Sequence, residues 1–525
     1  MTPRSPTSPI APDLAQLRAW LEQMVKAMKF VELVVAILAF ITRMRDINTE
    51  LMRQLAHLRR KRPRSETLRR LEKQLLLSFM PHPKPAEKKK KKGGGNGSGG
   101  RPGAPAHVPR LETENNVPSE MRICPSCGAE MTTVRHSRCE YIDLIPAKVF
   151  IAVRLDETVA CPNDDTIVSA PTPPAIVERG KLGDTLIVEA VCDKFLEHLP
   201  VERQCTRFAR AGVVIAPQTL GRSVCAALDL LAPVAKMIVE KTRGPGFLAT
   251  DATSIPILDP EAQEGIRTAA MWCWTNAKWV SFFYSRSADS DSVKRFLGKD
   301  FKRNVQCDGT ATLSFIERAG GKRPGCMSHG RRKFVEAALL GDKVALEALH
   351  LIAPLFVVER QATEAGDTAE QRLARRQEHS KPIIENIRAW LDEKRPFFPP
   401  KTALGKAIGY MSRQWHRLIL FLDDGNVELT NNRRERELRR LVQGRKNWLF
   451  AREDIGGQRV ADILTILATC IAHDVNPRAY LHLVTKLIVR GWPQSKLRDL
   501  LPDQLRRAHS ELVLLPSEDE LLLDA

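Results

Sequence analysis

The chain has 525 residues, too many for one compact core, so about three or four structural units are expected. Its 81 Lys and Arg stand against 62 Asp and Glu, a net charge of +19 that favours a polyanionic partner such as nucleic acid or an acidic membrane surface. With 43% hydrophobic residues and no Gly-X-Y period the chain is neither wholly disordered nor fibrous, and its longest apolar run, Leu33 to Ile41, is far short of the roughly 20 residues a membrane span needs. The first residues do not read as a secretory signal, and eleven scattered cysteines point to a reducing compartment with free thiols or metal ligands.

Residues 12–78 read as a coiled-coil helix. Phe30, Val34, Ile37, Ile41, Met44, Asn48, Leu51, Leu55 and Leu58 alternate spacings of four and three, with Asn48 as the polar position that fixes register. Leu14, Leu17, Leu21, Met24, Met28 and Val31 keep the rhythm out of phase, and an amphipathic helix packed on its own domain is the alternative. Residues 79–118, with Lys88 to Lys92 followed by a Gly-rich run, form a flexible basic linker that is either a solvated tether or a non-specific hold on DNA phosphates. Up to residue 118 there are 23 Lys and Arg against 10 Asp and Glu, so over two thirds of the excess charge sits in less than a quarter of the chain.

A small Cys-bearing module occupies 119–172. Cys124-Pro125-Ser126-Cys127-Gly128 sets two thiolates in a C-x-x-C spacing that can face one tetrahedral ion. Cys161 and Asp164 supply a third thiolate and a carboxylate, which makes Cys124, Cys127, Cys161 and Asp164 the candidate ligands of a structural Zn²⁺, with His136 or Cys139 as substitutes. A metal-free knuckle kept by packing is the alternative. Residues 173–243 are helical and resemble a helix-turn-helix. Arg203, Arg207 and Arg210 share one helix face, Gly212 supplies the turn, and Pro217 opens a second helix carrying Arg222. These four arginines are expected to contact DNA, against the alternative of a solvated basic face.

The pattern then changes to period two. Phe247 to Asp251 reads as a strand, Ala269–Trp274 and Lys278–Tyr284 as a hairpin around Thr275-Asn276, and Asn304 to Cys307 as another short strand. Helical spacing returns from about Phe334 to Leu422 and from Val460 to Val489; residues 456–510 form a C-terminal helical unit and 511–525 an acidic tail. Three acids stand where structure alone does not call for them. Asp251 interrupts a strand, Asp308 ends one before Gly309, and Glu435 follows the Asn431-Asn432 pair into a helix. If these elements are neighbours, three carboxylates meet at one sheet edge and hold Mg²⁺ or Mn²⁺; two such ions serve phosphodiester chemistry. The alternatives are an ion pair of Glu435 with Arg439 and a simple turn at Asp308-Gly309. Cys326 and His329 have ligand-like spacing but no partner pair, and read as a packed Cys and a polar His. Trp272, Trp274, Trp279 and Trp448 read as core residues.

Four blocks carry a resemblance: Asp308-Gly309; Cys326-Met327-Ser328-His329-Gly330-Arg331-Arg332-Lys333-Phe334; Asn431-Asn432 to Arg439; and Gly444-Arg445-Lys446-Asn447-Trp448-Leu449-Phe450. Together with Pro105 to Arg110, His198 to Gln204 and Asn476 to Leu481, all in order, they resemble the insertion sequence 66 family of DDE transposases over nearly the whole chain. The resemblance implies a multidomain α+β protein: an RNase H-like α/β catalytic core over 244–455 with a helical insertion at 334–425, beside the coiled coil, Cys module and helix-turn-helix. It implies Asp251, Asp308 and Glu435 as the DDE triad on two Mg²⁺ or Mn²⁺ ions, with Asp251 shared. Glu437 competes for the third role but lies on a different side of its helix. Arg331, Arg332, Lys333, Arg445 and Lys446 are then expected on DNA phosphates. Double-stranded DNA, as terminal inverted repeats and target, is the implied partner, with a homo-oligomer through the coiled coil, small accessory transposition proteins, no membrane, and a bacterial cytoplasmic, nucleoid-associated location. Family members usually carry Asp where this chain has Thr430, Glu-Thr where it has Ala252-Thr253, and tyrosines where it has Thr310 and Leu313. No triad member is lost, but a catalytically decayed DNA-binding copy and an RNase H-fold nuclease without strand transfer stay open as alternatives.

Overall fold

A computed structural model describes residues 149–160, 167–262, 264–276, 278–298, 301–509 and 512, with isolated positions and short pieces between 22 and 133. Nearly all of the expected coiled-coil seam, the basic linker, and the acidic tail beyond Leu512 lie outside the described residues. So do Cys124, Cys127, Cys161 and Asp164, with His136 and Cys139. The described residues form a mixed α+β structure with fourteen α-helices, a two-stranded sheet and a five-stranded sheet.

Strands β1 (Thr158–Ala160) and β2 (Ile167–Ser169) make the small antiparallel pair. Helices α1 (Asp184–Phe195), α2 (Val201–Arg210) and α3 (Pro217–Arg243) follow. Gly212 turns the chain between α2 and α3 at φ +84°, a conformation that suits glycine, and Pro217 begins α3 as the first helical residue. Strands β3 (Leu248–Leu258), β4 (Ile266–Asn276) and β5 (Trp279–Ser285) are joined antiparallel in sequence. The strand expected to end at Asp251 continues seven residues to Leu258, because its second half alternates exposed and buried residues against β4.

After α4 (Ser290–Leu297), the short β6 (Val305–Gln306) lies parallel to the start of β3, pairing Leu248 with Val305. Helix α5 (Ser314–Arg318) leads to the helical insertion: α6 (Met327–Ala338), α7 (Lys343–Glu364), α8 (Ala369–Arg375), α9 (Lys381–Lys394) and α10 (Ala403–Leu418). Helix α11 (Asn432–Trp448) returns to the sheet, and β7 (Ala451–Arg452) pairs in parallel with the other end of β3. Helices α12 (Glu453–Ala472), α13 (Pro477–Val489) and α14 (Pro502–Ala508) complete the described chain.

The sheet order is β5-β4-β3-β6, with β7 also on β3. Because β4 occupies one side of β3 along most of its length, β6 and β7 share the other side and leave the middle of β3 without a strand neighbour there. One sheet face packs Ile255, Ile257, Met271, Cys273, Phe282 and Tyr284 into a core with α1, α3, α12 and α13. The other packs Leu248, Trp272 and Trp274 against Val293 and Phe296 of α4. The insertion builds a core of its own from α6, α7, α9 and α10, running from Met327 to Leu429. There α6 and α10 approach so closely that a Cβ on Gly330 would collide with the Met411 sulfur. Buried Arg376 ties this core together, forking onto Glu359 at 2.6 and 2.8 Å and donating to the Phe421 and Asp424 carbonyls.

Helix α12 is long and apolar enough by composition to cross a membrane, yet its residues from Val460 to Cys470 are buried against the sheet and α3. It also covers the free edge of β5. Thr465 Oγ1 accepts the Phe282 N–H at 2.8 Å, and Thr469 Oγ1 accepts the Val280 N–H at 3.4 Å while donating to the Val280 carbonyl at 2.7 Å. Helix hydroxyls thus take the place of a further strand on an edge that would otherwise carry unmatched donors. Thr465→Val keeps the shape and strands the Phe282 N–H in the core. It should destabilise the protein by about 1–3 kcal/mol in urea denaturation.

Candidate active site

Asp251 lies on β3 opposite Cys273, in the stretch that β6 and β7 leave open. The Ala252 N–H donates to its Oδ1 at 2.8 Å. Burial nevertheless pushes the Asp251 carboxyl up to about 7; the Asp308 and Glu435 charges add to the rise, and Arg332 opposes it. Asp308 follows β6 by two residues, and its Oδ1 accepts the Thr310 N–H at 3.1 Å in a tight turn. Gly309 beside it sits under Gln414 of α10, whose amide nitrogen would be 3.2 Å from a Cβ there.

Glu435 reaches this place because α11 is tied down at both ends. Asn431, fully buried, stands at the N-cap position, but its side chain does not cap the helix. Its Nδ2 donates to the Thr250 carbonyl of β3 at 3.2 Å, and its backbone N–H donates to the Cys326 Sγ at 3.1 Å. Beside it, the Met327 N–H bonds the Leu429 carbonyl at 3.0 Å, and Gln306 of β6 donates to the Glu428 carbonyl at 2.5 Å. At the far end Arg445 donates to the Ser254 carbonyl and reaches the Ser254 and Thr253 hydroxyls at 3.2 and 3.4 Å. Helix α11 therefore occupies the open stretch of β3. Arg434 turns inward, almost fully buried, onto Glu428 at 2.5 Å and Thr275 at 2.7 Å.

Both Glu435 oxygens face α6. Oε2 is 3.2 Å from Arg332 Nη2 and Oε1 is 3.5 Å from His329 Nε2, in place of the Arg439 pair weighed from the sequence. Oε1 is buried without a hydrogen-bond partner, and so is His329 Nδ1. Burial lowers the His329 pKa, with Glu435 pulling it back up. Glu437 pairs instead with Arg440 at 3.5 Å. Among the described residues no three His, Cys, Asp or Glu side chains are gathered closely enough to ligate one ion as they stand. The donor set still suits a hard divalent cation: carboxylate oxygens, one of them orphaned, around a half-buried Asp251.

The basic residues expected on phosphates have distinct environments. Arg332 touches Glu435. Arg331 is half-buried with its guanidinium 5.2 Å from the Phe356 ring, and Lys333 lies 5.0 Å over the Tyr410 ring. Arg445 is bound to β3, and Lys446 is exposed. In the helix-turn-helix-like segment Arg203, Arg210 and Arg222 are exposed, whereas Arg207 pairs with Asp193. This segment is clamped to the C-terminal helices: Arg478 pairs with Glu189 and with Glu197 at 3.2 Å, and His482 meets Glu189 at 2.6 Å.

His329 is the residue that sequence reasoning left out of the site. Its available signal was the three-residue step from His329 to Arg332, which puts both on one helix face. Cys326 is packed, as expected, and its sulfur serves as an acceptor for the Glu435 helix. Trp272 and Trp274 are core residues, with Trp279 and Trp448 partly buried against the main core. The seven cysteines among the described residues are all free thiols.

A family model described as "Transposase IS66 family" matches residues 179–459, a span that contains α2, α3, the five-stranded sheet and all three carboxylates. Among curated proteins, the "Uncharacterized protein y4hP" of Sinorhizobium fredii is 30% identical over 432 residues, which is 77% of this chain and 77% of the relative. The "Uncharacterized protein y4jD" of the same organism is 28% identical over 419 residues, 76% of this chain and 80% of that protein.

Asn431→Ala removes the tie between α11 and β3 and leaves the Thr250 carbonyl buried without its partner. A loss of about 1–3 kcal/mol in urea denaturation is expected, against less than about 0.5 kcal/mol for Arg436→Ala on the exposed face of the same helix.

Proposed function

The chain belongs to the IS66 family of transposases, and on that footing we propose that it is a DDE-type enzyme that cuts and joins DNA through Asp251, Asp308 and Glu435. A transposase processes nucleic acid, so DNA is its partner. The observation that carries the reading is the convergence of charge on Asp251, at the open middle of β3: Asp308, after β6, and Glu435, on the helix tied across that opening, both raise its carboxyl, although they come from separate elements. We read the five-stranded sheet as an RNase H-like core, on the support of three antiparallel strands in sequence followed by a parallel one beside the first.

In this reading Asp251, central on β3, would hold two Mg²⁺ or Mn²⁺ ions together with Asp308 and Glu435. Bound there, the ions would supply activation of the attacking oxygen and neutralisation of the leaving one. The chain's own residues set the geometry. The Asx turn fixes Asp308, the Asn431 and Arg445 ties fix the helix of Glu435, and the β3–β4 pairing fixes Asp251. In the first step a water oxygen bonds to phosphorus at the element's end and gives up a proton, the P–O3′ bond breaks, and the leaving 3′ oxygen takes up a proton, so that a 3′ hydroxyl and a 5′ phosphate result. In the second step that 3′ oxygen bonds to a target phosphorus while the target's P–O3′ bond breaks. One phosphodiester replaces another, so no nucleotide hydrolysis is needed. Exposed Arg203, Arg210 and Arg222 are proposed to hold the terminal repeats.

With a DNA fragment bearing the element's inverted ends, wild-type protein in Mg²⁺ or Mn²⁺ should nick and join. Asp251→Asn, Asp308→Asn and Glu435→Gln should each lower both products by on the order of 1,000-fold while keeping end binding, and chelation should have the same effect. Wild-type binding without nicking would favour the decayed DNA-binding protein, and nicking without joining the nuclease. In a separate titration against salt, Arg203→Gln with Arg210→Gln should weaken end binding and lower the salt slope by about 1 for each phosphate that the protein no longer neutralises.

A further inference from the structure

Glu435 has two oxygens, and α6 engages both. Arg332 Nη2 lies 3.2 Å from Oε2 and His329 Nε2 lies 3.5 Å from Oε1. The two partners share a helix face, and their helix is locked to the start of α11 by the Cys326 sulfur on the Asn431 N–H and by Met327 on Leu429. This is therefore a built contact between two fixed helices. It is also incomplete, since Oε1 and His329 Nδ1 are buried and receive no hydrogen bond. The Arg332 guanidinium is half-exposed, with 51% of its side-chain surface open, and has room to leave. Arg332 is also a cation that opposes the rise of the Asp251 carboxyl.

A carboxylate with both oxygens turned to α6 has less of its acceptor capacity free for a metal held with Asp251, and no ready-made ligand cluster stands among the described residues. Three acids brought together without a cation repel one another, and one guanidinium relieves part of that repulsion. A guanidinium pairs equally well with a carboxylate and with a phosphate. We propose that Arg332 is a placeholder cation, holding Glu435 until a divalent ion takes the carboxylate and then turning its guanidinium to a phosphate oxygen of the bound DNA. His329 keeps Oε1 oriented toward α6 in the metal-free state. Arg332 is thus a positioning residue before metal entry and a phosphate ligand after it. The proposal rests on the reading of Asp251, Asp308 and Glu435 as metal-binding carboxylates.

Calorimetric titration of the full chain with Mn²⁺, in the absence of DNA, tests it. Arg332→Gln removes the competitor and should bind Mn²⁺ about three- to tenfold tighter, while DNA cleavage falls. Arg332→Lys keeps the charge and should lie between that variant and wild type in both measurements. Arg436→Gln removes an equal charge from the exposed residue next to Glu435 and should change Mn²⁺ affinity by less than about twofold. Tighter metal binding combined with weaker cleavage is an outcome that a merely structural arginine does not produce. Unchanged or weaker Mn²⁺ binding by Arg332→Gln, in a protein whose binding drops in Asp251→Asn, overturns the placeholder role and leaves the metal site standing. Mn²⁺ binding that is indifferent to both Asp251→Asn and Glu435→Gln overturns the metal-site reading, and the placeholder with it.

Discussion

The open middle of β3 is the constraint from which the site follows. Strands β6 and β7 are only two residues each and pair with opposite ends of β3, so the backbone between them has no strand to satisfy it. Helix α11 fills the gap with side chains, Asn431 on the Thr250 carbonyl and Arg445 on the Ser254 carbonyl. Those two bonds dictate where the helix lies, and its position carries Glu435 toward Asp251. A continuous β6 would have satisfied β3 with backbone and left no place for a helix-borne acid. The short strands and the third carboxylate are in this sense one feature.

The insertion is part of the same device. Its core is separate from the main one, yet the residue before its first helix supplies the sulfur that receives the Asn431 N–H, and that helix supplies the two side chains, Arg332 and His329, that meet Glu435. Its last helix lays Gln414 over Gly309 next to Asp308. An independent core makes these contacts rigid, because α6 is held by α7 and α10 as well as by the site itself. Two of the three acids therefore have neighbours from the insertion, which makes it a wall of the site as well as a spacer between Asp308 and Glu435.

The strands were legible because strand patterning is local: β4, β5 and β6 overlap the expected segments, but the hairpin turns after Asn276 and not around Thr275-Asn276, both of which pair with β5. The second half of β3 was not, since Asp251, Ala252 and Pro256 are poor strand signals in a stretch that only pairing with β4 makes extended. The three acids stood out in the sequence by residue type and by resemblance, but their environment did not. Glu435 and Arg332 are separated by 103 positions, and no local rule predicts that they pair. The same holds for Arg434, one of a run of arginines in which nothing local says which one turns into the core. Spacing reports what shares a face of one element; it is silent on which face another element will meet.

Charge shows the difference most clearly. The Arg-rich run through α11 and the Arg331-Arg332-Lys333 triplet suggest a basic surface, but much of that charge is engaged inside the fold. Arg332 is on Glu435, Arg434 on Glu428, Arg445 on β3, and Arg331 against Phe356. Asp308 and Glu435 both act on Asp251 and Arg332 opposes them, so a bare phosphate approaching the metal-free site meets carboxylates brought close together. A divalent cation that displaced Arg332 from Glu435 would reverse this twice over, once through its own charge and once by freeing a guanidinium. Under the proposed chemistry the site would receive metal before DNA, and the exposed arginines of α2 and α3 would hold the nucleic acid independently of that step.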